Sequence, residues 1–403
     1  KSTICILSDN MNYRIKNVNT VDGGRIIQSS TICISDGKIV AESSLSGVNS
    51  VKEIDGHGLF ASPGFIDMHT HGAGGFDFSD GGTEPIINAA NAHLSHGTTS
   101  ILPTSLSCSF DTTAEFLADL NTAAKSGDTY AEILGAHIEG PYFSPLQCGA
   151  QNPEYIKNPD PDEYKELIKL GNGIIKKWSF APELDGSVEF CKTLIQNGIL
   201  PSVGHTNALY SDMERIYNAG CRTATHMYSC MSSITRENGM RRLGVIESIY
   251  LLDGMTAEII ADGMHLPPEL LKLIVKHLGA ESLCLVSDSM RGAGMPDGES
   301  YIGRKDECVP CIIEDGVAKL PDRSAFAGSV ATSDRLVRTM VKKAGVSLCD
   351  AVKMITENPA KLLNADGRKA RIKPGFDADI VLFDDDINVS FVMARGKIAK
   401  NEL

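Results

Sequence analysis

From residue 60 to residue 288 the chain repeats one unit eight times: an apolar run of strand length, then a longer connecting segment. The runs span residues 60–71, 98–104, 132–139, 174–181, 199–205, 222–226, 256–261 and 283–288. Segments of helical period, among them 112–124, 162–170, 188–197, 210–219, 268–278 and 332–344, lie between or after them. Parallel strands need a crossover of a dozen or more residues, usually a helix, and strands covered on both faces read as continuous apolar runs. Eight such units in roughly 300 residues predict an α/β fold, the (β/α)8 TIM barrel, with its active site at the C-terminal ends of the strands.

The two ends of the chain read differently. Residues 3–7, 31–35 and 38–41 look like short strands, the last two joined by an Asp36-Gly37 turn. Residues 379–383, 390–394 and 397–399, with an Arg395-Gly396 turn, mirror them. We therefore expect a small β-sandwich domain built from both termini, residues 1–62 plus 368–403, beside a barrel of residues 63–367.

Composition narrows the partners. A formal net charge of -13 argues against a nucleic-acid or anionic-membrane surface, which needs an excess of Lys and Arg on some face. No apolar stretch approaches the ~20 residues of a membrane span. Eleven cysteines without a framework and no secretory leader point to a reducing cytoplasm. Cys308 and Cys311 have metal-site spacing, but no second pair follows, so a loop or hairpin is expected there.

Six possible metal ligands fall at or just past the ends of the runs: His69, His71, Glu139, His205, His226 and Asp288. His69 and His71, two apart on one strand, leave on the same face with Cα atoms ~7 Å apart and can grip one ion. Glu139 stands before Gly140-Pro141, a turn that ends its strand, and His137 alternates with it onto the same face. His205 and His226 end successive strands and become neighbours across ~5 Å. Singly, each is more often a solvated carboxylate or a hydrogen-bonded core histidine. Gathered at one mouth of a barrel, they would be costly to leave without a cation. Nitrogen and oxygen donors suit zinc or iron, so a divalent metal is expected, one or two ions per chain, serving metal-assisted hydrolysis. Asp288 could take a proton from the attacking water and return it to a leaving amine. His265, a few residues past the seventh run, reads as a loop residue that touches substrate.

These residues sit in motifs that resemble the amidohydrolase superfamily: Pro63-Gly64-Phe65-Ile66-Asp67-Met68-His69-Thr70-His71-Gly72, His137-Ile138-Glu139-Gly140-Pro141, Gly204-His205-Thr206-Asn207-Ala208, Thr225-His226-Met227-Tyr228, Ala261-Asp262-Gly263-Met264-His265 and Pro374-Gly375-Phe376-Asp377-Ala378-Asp379. Within it they are similar to the deacetylases of N-acetylglucosamine 6-phosphate. The resemblance implies that Glu139, His205 and His226 hold the principal ion, that His69 and His71 add a second, and that Asp288 is the general acid and base. It implies a small-molecule substrate, a phosphorylated N-acetyl amino sugar, and a homodimer in which Arg236 binds the phosphate, in cis or across the interface. His265 matches a substrate-binding histidine, and Ala327 and Gly328 a loop that closes on the sugar.

Three stretches depart from the family pattern. Ser229-Cys230 stand where Asn-Ala is usual, Gln151 replaces a histidine after the third strand, and Leu146-Gln147-Cys148 replaces a Lys-rich stretch. Gln151, Ser229 and Cys230 are expected to line the sugar and phosphate pocket, so another N-acyl amino sugar or acyl amide is the second reading. A cyclic-amide hydrolase would bridge two ions with a modified lysine at the fourth strand end, but Lys176 and Lys177 come too early. A non-catalytic assembly protein on the same barrel would show broken ligands, and none of the six is broken.

Overall fold

In the computed structural model, which describes residues 11–48, 50–323 and 325–403, eight parallel strands form the central sheet. In order they are Phe65–Thr70, Thr98–Ser105, Ala136–Glu139, Ile175–Phe180, Leu200–Val203, Thr223–Ala224, Thr256–Ile259 and Leu283–Leu285. Each pairs with the next, with Glu132–Ile133 as a further short pairing on Thr98–Ser105. The expected strand at 3–7 lies outside the described residues.

Between the eighth and first strands, discrete bonds close the cylinder. The buried Asp67 carboxylate accepts the N–H groups of Ser287 and His69, both at 3.3 Å. The Asp288 N–H donates to the His69 carbonyl at 2.9 Å. The seam is therefore fastened at the end of the barrel where His69 and Asp288 emerge.

Helices pack around this sheet by their apolar stripes. In Phe110–Ser126 the stripe is Thr113, Phe116, Leu117, Leu120 and Ala123, spaced at three and four residues. Ser109 caps the start, accepting from the Thr112 N–H, and Gly127 ends it in the left-handed region at φ 81°. Phe116 and Leu117 join Trp178, Phe180, Phe190 and many others in one continuous buried cluster.

The two chain ends meet in one eight-stranded sheet. Phe60–Pro63 pairs antiparallel with Ile380–Phe383 on one side and parallel with Asn12–Asp22 on the other. Its core is Tyr13, Ile15, Ile34, Ile380, Leu382 and Phe391. A buried cation anchors this sheet to the barrel: Lys369 contacts Asp379 at 2.7 Å, Asp377 at 2.9 Å and Glu132 at 2.6 Å.

Antiparallel excursions interrupt the simple alternation, beginning with the short pairing of Gly72–Ala73 with Phe76–Asp77 after the first strand. After the sixth strand comes an exposed hairpin, Thr235–Glu237 with Met240–Arg242, turned by Asn238 and Gly239 at φ 49° and 87°. After the eighth comes a four-stranded antiparallel sheet, Gly298–Ile302, Val309–Glu314, Val317–Lys319 and Phe326–Ser329. Cys311 lies buried in that sheet opposite Ser300, in the hairpin expected of it.

Candidate metal centre

All six sequence-derived ligands emerge at the C-terminal end of the barrel. Glu139 is the last residue of the third strand; His69 lies near the end of the first, and His71 one residue past it. His205, His226 and Asp288 come just after their strands, each in the left-handed region at φ 46°, 30° and 44°. Such backbone costs free energy for a residue with a Cβ and is retained where a side chain must be aimed. Here it turns three side chains off their strands toward the axis.

The side-chain donors converge closely enough to hold a cation. Glu139 Oε1 lies 3.3 Å from His69 Nε2, 3.3 Å from His205 Nε2 and 3.1 Å from His226 Nε2. Its other oxygen lies 3.3 Å from His71 Nε2. Asp288 Oδ1 is 3.1 Å from His71 Nε2 and 3.3 Å from His69 Nε2. Donors bound ~2.0–2.1 Å from one tetrahedral ion stand ~3.3 Å from each other, so the spacing fits a shared cation. Two groups could each hold an ion, His69–His71–Glu139 and Glu139–His205–His226, with Glu139 common to both.

Polar atoms left unpaired support this fit. His205 Nε2 and His226 Nε2 face each other at 3.1 Å, where two lone pairs would repel without a proton or a cation between them. Among the described residues, His69 Nε2 is buried and meets only the two carboxylates at 3.3 Å, with no hydrogen bond of good geometry. On the outer side, His71 Nδ1 faces the Thr104 carbonyl at 3.2 Å and His205 Nδ1 the Gln147 carbonyl at 3.0 Å. Carbonyls only accept, so Nδ1 carries the proton and Nε2 turns its lone pair to the centre.

Charge is balanced inside the cluster. Burial pulls the His69 imidazole down, but Asp288 and Glu139 outweigh it and hold it up at about 9. His71 follows, lowered by burial yet held up at about 10 by hydrogen bonds to Asp288 and Glu139. Burial would raise both carboxylates. The surrounding imidazoles, His69 foremost, instead keep Glu139 and Asp288 below the ordinary carboxylate range.

Without a cation, protons sit on His69 and His71, and their contribution to stability is complete below ~6.5, the ordinary histidine value. It is lost as pH rises through about 9 and about 10. A divalent ion binds neutral imidazole and must displace those protons. Metal affinity is therefore expected to rise from pH 6.5 toward 9, with proton release measurable by calorimetry in two buffers of different ionisation enthalpy. Affinity independent of pH, with no proton released, would contradict the arrangement.

The loop after the third strand wraps this centre. Phe143 stacks on the His205 ring at 4.4 Å between centroids. Gly149, at φ 58°, lets the backbone pass where a Cβ would meet the Cys230 sulfur at 2.5 Å. Gln151 folds back so that its Nε2 donates to Glu139 Oε2 at 2.7 Å, while its Oε1 accepts from the Ser107 N–H at 2.7 Å.

The remaining sequence-derived residues lie around the rim. Ser229 donates its N–H to the His226 carbonyl at 2.9 Å, and the Cys230 carbonyl accepts from the Thr206 N–H at 3.0 Å. His265 Nδ1 sits 2.7 Å from the buried Asp262 carboxylate, and its ring lies 5.0 Å from that of Phe326. Ala327 and Gly328 belong to the strand Phe326–Ser329, whose Ser329 N–H bonds the Asp288 carbonyl at 3.3 Å. Arg236 stands on the exposed hairpin, opposite Arg241, out on the surface.

Apart from His137, already read as sharing a face with Glu139, sequence reasoning missed the layer beneath the candidate ligands. Glu258, inside the seventh strand, places Oε2 3.1 Å from His69 Nδ1, and its other oxygen pairs with Lys177 of the fourth strand. His137 lies edge-on to His69 at 4.5 Å and bonds Ser179 Oγ at 2.7 Å, so it supports the centre from below. The available signal was a charged residue in the middle of an apolar run.

Comparison with known proteins adds to this geometry. Residues 60–399 match the amidohydrolase family. The N-acetylglucosamine-6-phosphate deacetylase of Lysinibacillus sphaericus is 32% identical over 386 residues, covering 95% of this chain and 97% of that one. The N-acetylgalactosamine-6-phosphate deacetylase of Escherichia coli O157:H7 is 30% identical over 367 residues, covering 91% and 93%. Among solved structures, an N-acetyl-D-glucosamine-6-phosphate deacetylase of Mycobacterium smegmatis, in complex with N-acetyl-D-glucosamine-6-phosphate, matches with TM-score 0.86 at 27% identity over 98% of this chain and 100% of that one.

Proposed function

The chain belongs to the amidohydrolase family, and from that premise we propose that it deacetylates N-acetylglucosamine 6-phosphate, releasing glucosamine 6-phosphate and acetate. The observation that carries this reading is the shared carboxylate: Glu139 touches all four imidazoles, with Asp288 beside two of them. The donor set favours zinc or iron, and two ligand groups sharing Glu139 favour two ions per chain.

When bound, the metal supplies Lewis acidity, lowering the pKa of water and stabilising negative charge on the acetamide oxygen. The protein's own residues do the rest. Asp288, held ionised by His69 and His71, accepts the proton of the attacking water as the oxygen–carbon bond forms. It returns that proton to the amide nitrogen as the carbon–nitrogen bond breaks, so the sugar leaves as an amine. Asp262 fixes His265 with Nδ1 protonated, leaving Nε2 to meet the sugar. Ser229, Cys230, Ala327 and Gly328 line the sugar, and Gln151 steadies Glu139 at the pocket edge.

Arg236 holds the phosphate. Its place on an exposed hairpin suits delivery into a neighbouring subunit's pocket, and a homodimer is part of this reading. The ten described cysteines are all free thiols, in keeping with a cytoplasmic enzyme. No described helix is long and apolar enough to cross a membrane. The pairing of Phe60–Pro63 with Ile380–Phe383 supports a division into a small β domain, 1–62 plus 368–403, and a barrel, 63–367.

The second reading is another N-acyl amino sugar phosphate, favoured by the relative named for the galactose epimer. Acetate release from both 6-phosphorylated epimers and from the unphosphorylated sugars separates these readings. The glucose epimer is expected to be turned over fastest. Arg236→Ala is expected to lower kcat/KM for the phosphorylated sugar by about 10–100-fold, the worth of a charge-assisted hydrogen bond, and to spare the unphosphorylated one. Equal rates with and without the phosphate would remove this role of Arg236.

A further inference from the structure

Beneath the metal ligands, the barrel interior holds a buried ion pair that the proposed chemistry leaves idle. Lys177 and Glu258 are both 0% exposed, on the fourth and seventh strands. One Glu258 oxygen pairs with the Lys177 ammonium, and the other lies 3.1 Å from His69 Nδ1. A buried pair of this kind is seldom worth its desolvation as a source of stability, since neutral packing of the same volume does as well. Its position suggests another use.

Among the four imidazoles, His69 has a distinct backing. His71 and His205 place Nδ1 against neutral carbonyls, those of Thr104 and Gln147. His226 Nδ1 is buried and has no hydrogen-bond partner among the described residues. Only His69, of these four, rests on a carboxylate. A carboxylate behind an imidazole fixes the tautomer, orients the ring and makes the inner nitrogen a stronger donor to a cation. Lys177 neutralises Glu258, so the carboxylate can be buried here without leaving an unpaired charge in the core.

We propose that the Lys177–Glu258 pair is a positioning device that sets cation affinity at the His69–His71–Glu139 half of the centre, independently of the Glu139–His205–His226 half. The inference rests on the two-ion reading given above. Neither residue touches substrate; both act through His69.

The test compares wild type with Glu258→Gln and with Lys177→Met/Glu258→Gln, which removes both charges and so avoids stranding a buried ammonium. Zinc per chain is measured after equilibrium dialysis at a series of free zinc concentrations, with circular dichroism confirming the fold and cobalt absorption reporting coordination. Wild type is expected to bind two ions. Both variants are expected to keep one at wild-type affinity and to bind the other about 10–100-fold more weakly. Loss confined to one ion supports the proposal, because a merely structural defect would weaken both. Two ions held at wild-type affinity in the double variant would overturn it, as would equal weakening of both. A wild type that binds one ion overturns it too, while one that binds none removes the metal centre itself.

Discussion

Asp288→Asn is expected to lower kcat by about 10²–10⁴-fold while the protein stays folded and loaded with metal. The substitution isolates proton transfer because little else changes. Asparagine has the same shape and tolerates the left-handed backbone that Asp288 adopts at φ 44°. Its amide oxygen can still face His71, 3.1 Å from the present Oδ1. The neutral amide has no basic oxygen to take the proton from water and none to return to the amine. The N–H of residue 288, which bonds the His69 carbonyl at 2.9 Å and fastens the barrel seam, is unaffected. The defect should therefore appear in kcat far more than in KM, with metal content unchanged. Steady-state kinetics beside metal analysis decides the matter: unchanged kcat would sink Asp288 as the acid and base, and lost metal would recast it chiefly as a ligand.

The clustering of these side chains was legible in the sequence because the barrel turns a spacing pattern into a spatial one. Apolar runs that each end in His, Glu or Asp place those residues at one mouth whatever lies between. The same logic erred at the first run: residues 60–71 are two strands, Phe60–Pro63 in the terminal sheet and Phe65–Thr70 in the barrel. Pattern shows that a residue is buried but not which sheet buries it. The run 132–139 splits likewise at Gly135, into Glu132–Ile133 and Ala136–Glu139.

The pairing of Lys177 with Glu258 was illegible for a related reason. A charge inside an apolar run reads as pointing outward, and only the closed barrel reveals that the two face each other across its interior. Gln151 shows the limit for loops. Its sequence position suggested a pocket wall, and nothing in one dimension could say that its amide returns to Glu139 at 2.7 Å. The exposed hairpin and the four-stranded sheet after residue 298 are short, half-exposed strands with little hydrophobic period to detect.

Glu139→Gln should have the largest effect of any substitution in the barrel, abolishing tight metal binding and with it the activity. Glu139 is the member shared by both ligand groups, so weakening it weakens both at once. The charge count explains why an isosteric amide does not suffice. Glu139 is the carboxylate common to both candidate groups, whereas Asp288 belongs to neither, and the amide removes that shared charge in a region nearly sealed from water, where 2% of Glu139 is exposed. Replacing a residue that merely backs a ligand typically costs 10–100-fold in affinity, and removing the negative charge from the bridge itself must cost more. Dialysed Glu139→Gln protein is expected to hold little metal and to regain only part of its activity in excess zinc. Its thermal midpoint should rise far less than the wild type's on adding zinc, since that rise measures binding to the native state. A variant that kept stoichiometric metal and wild-type turnover would show that the carboxylate joining the four imidazoles is not what binds the ion.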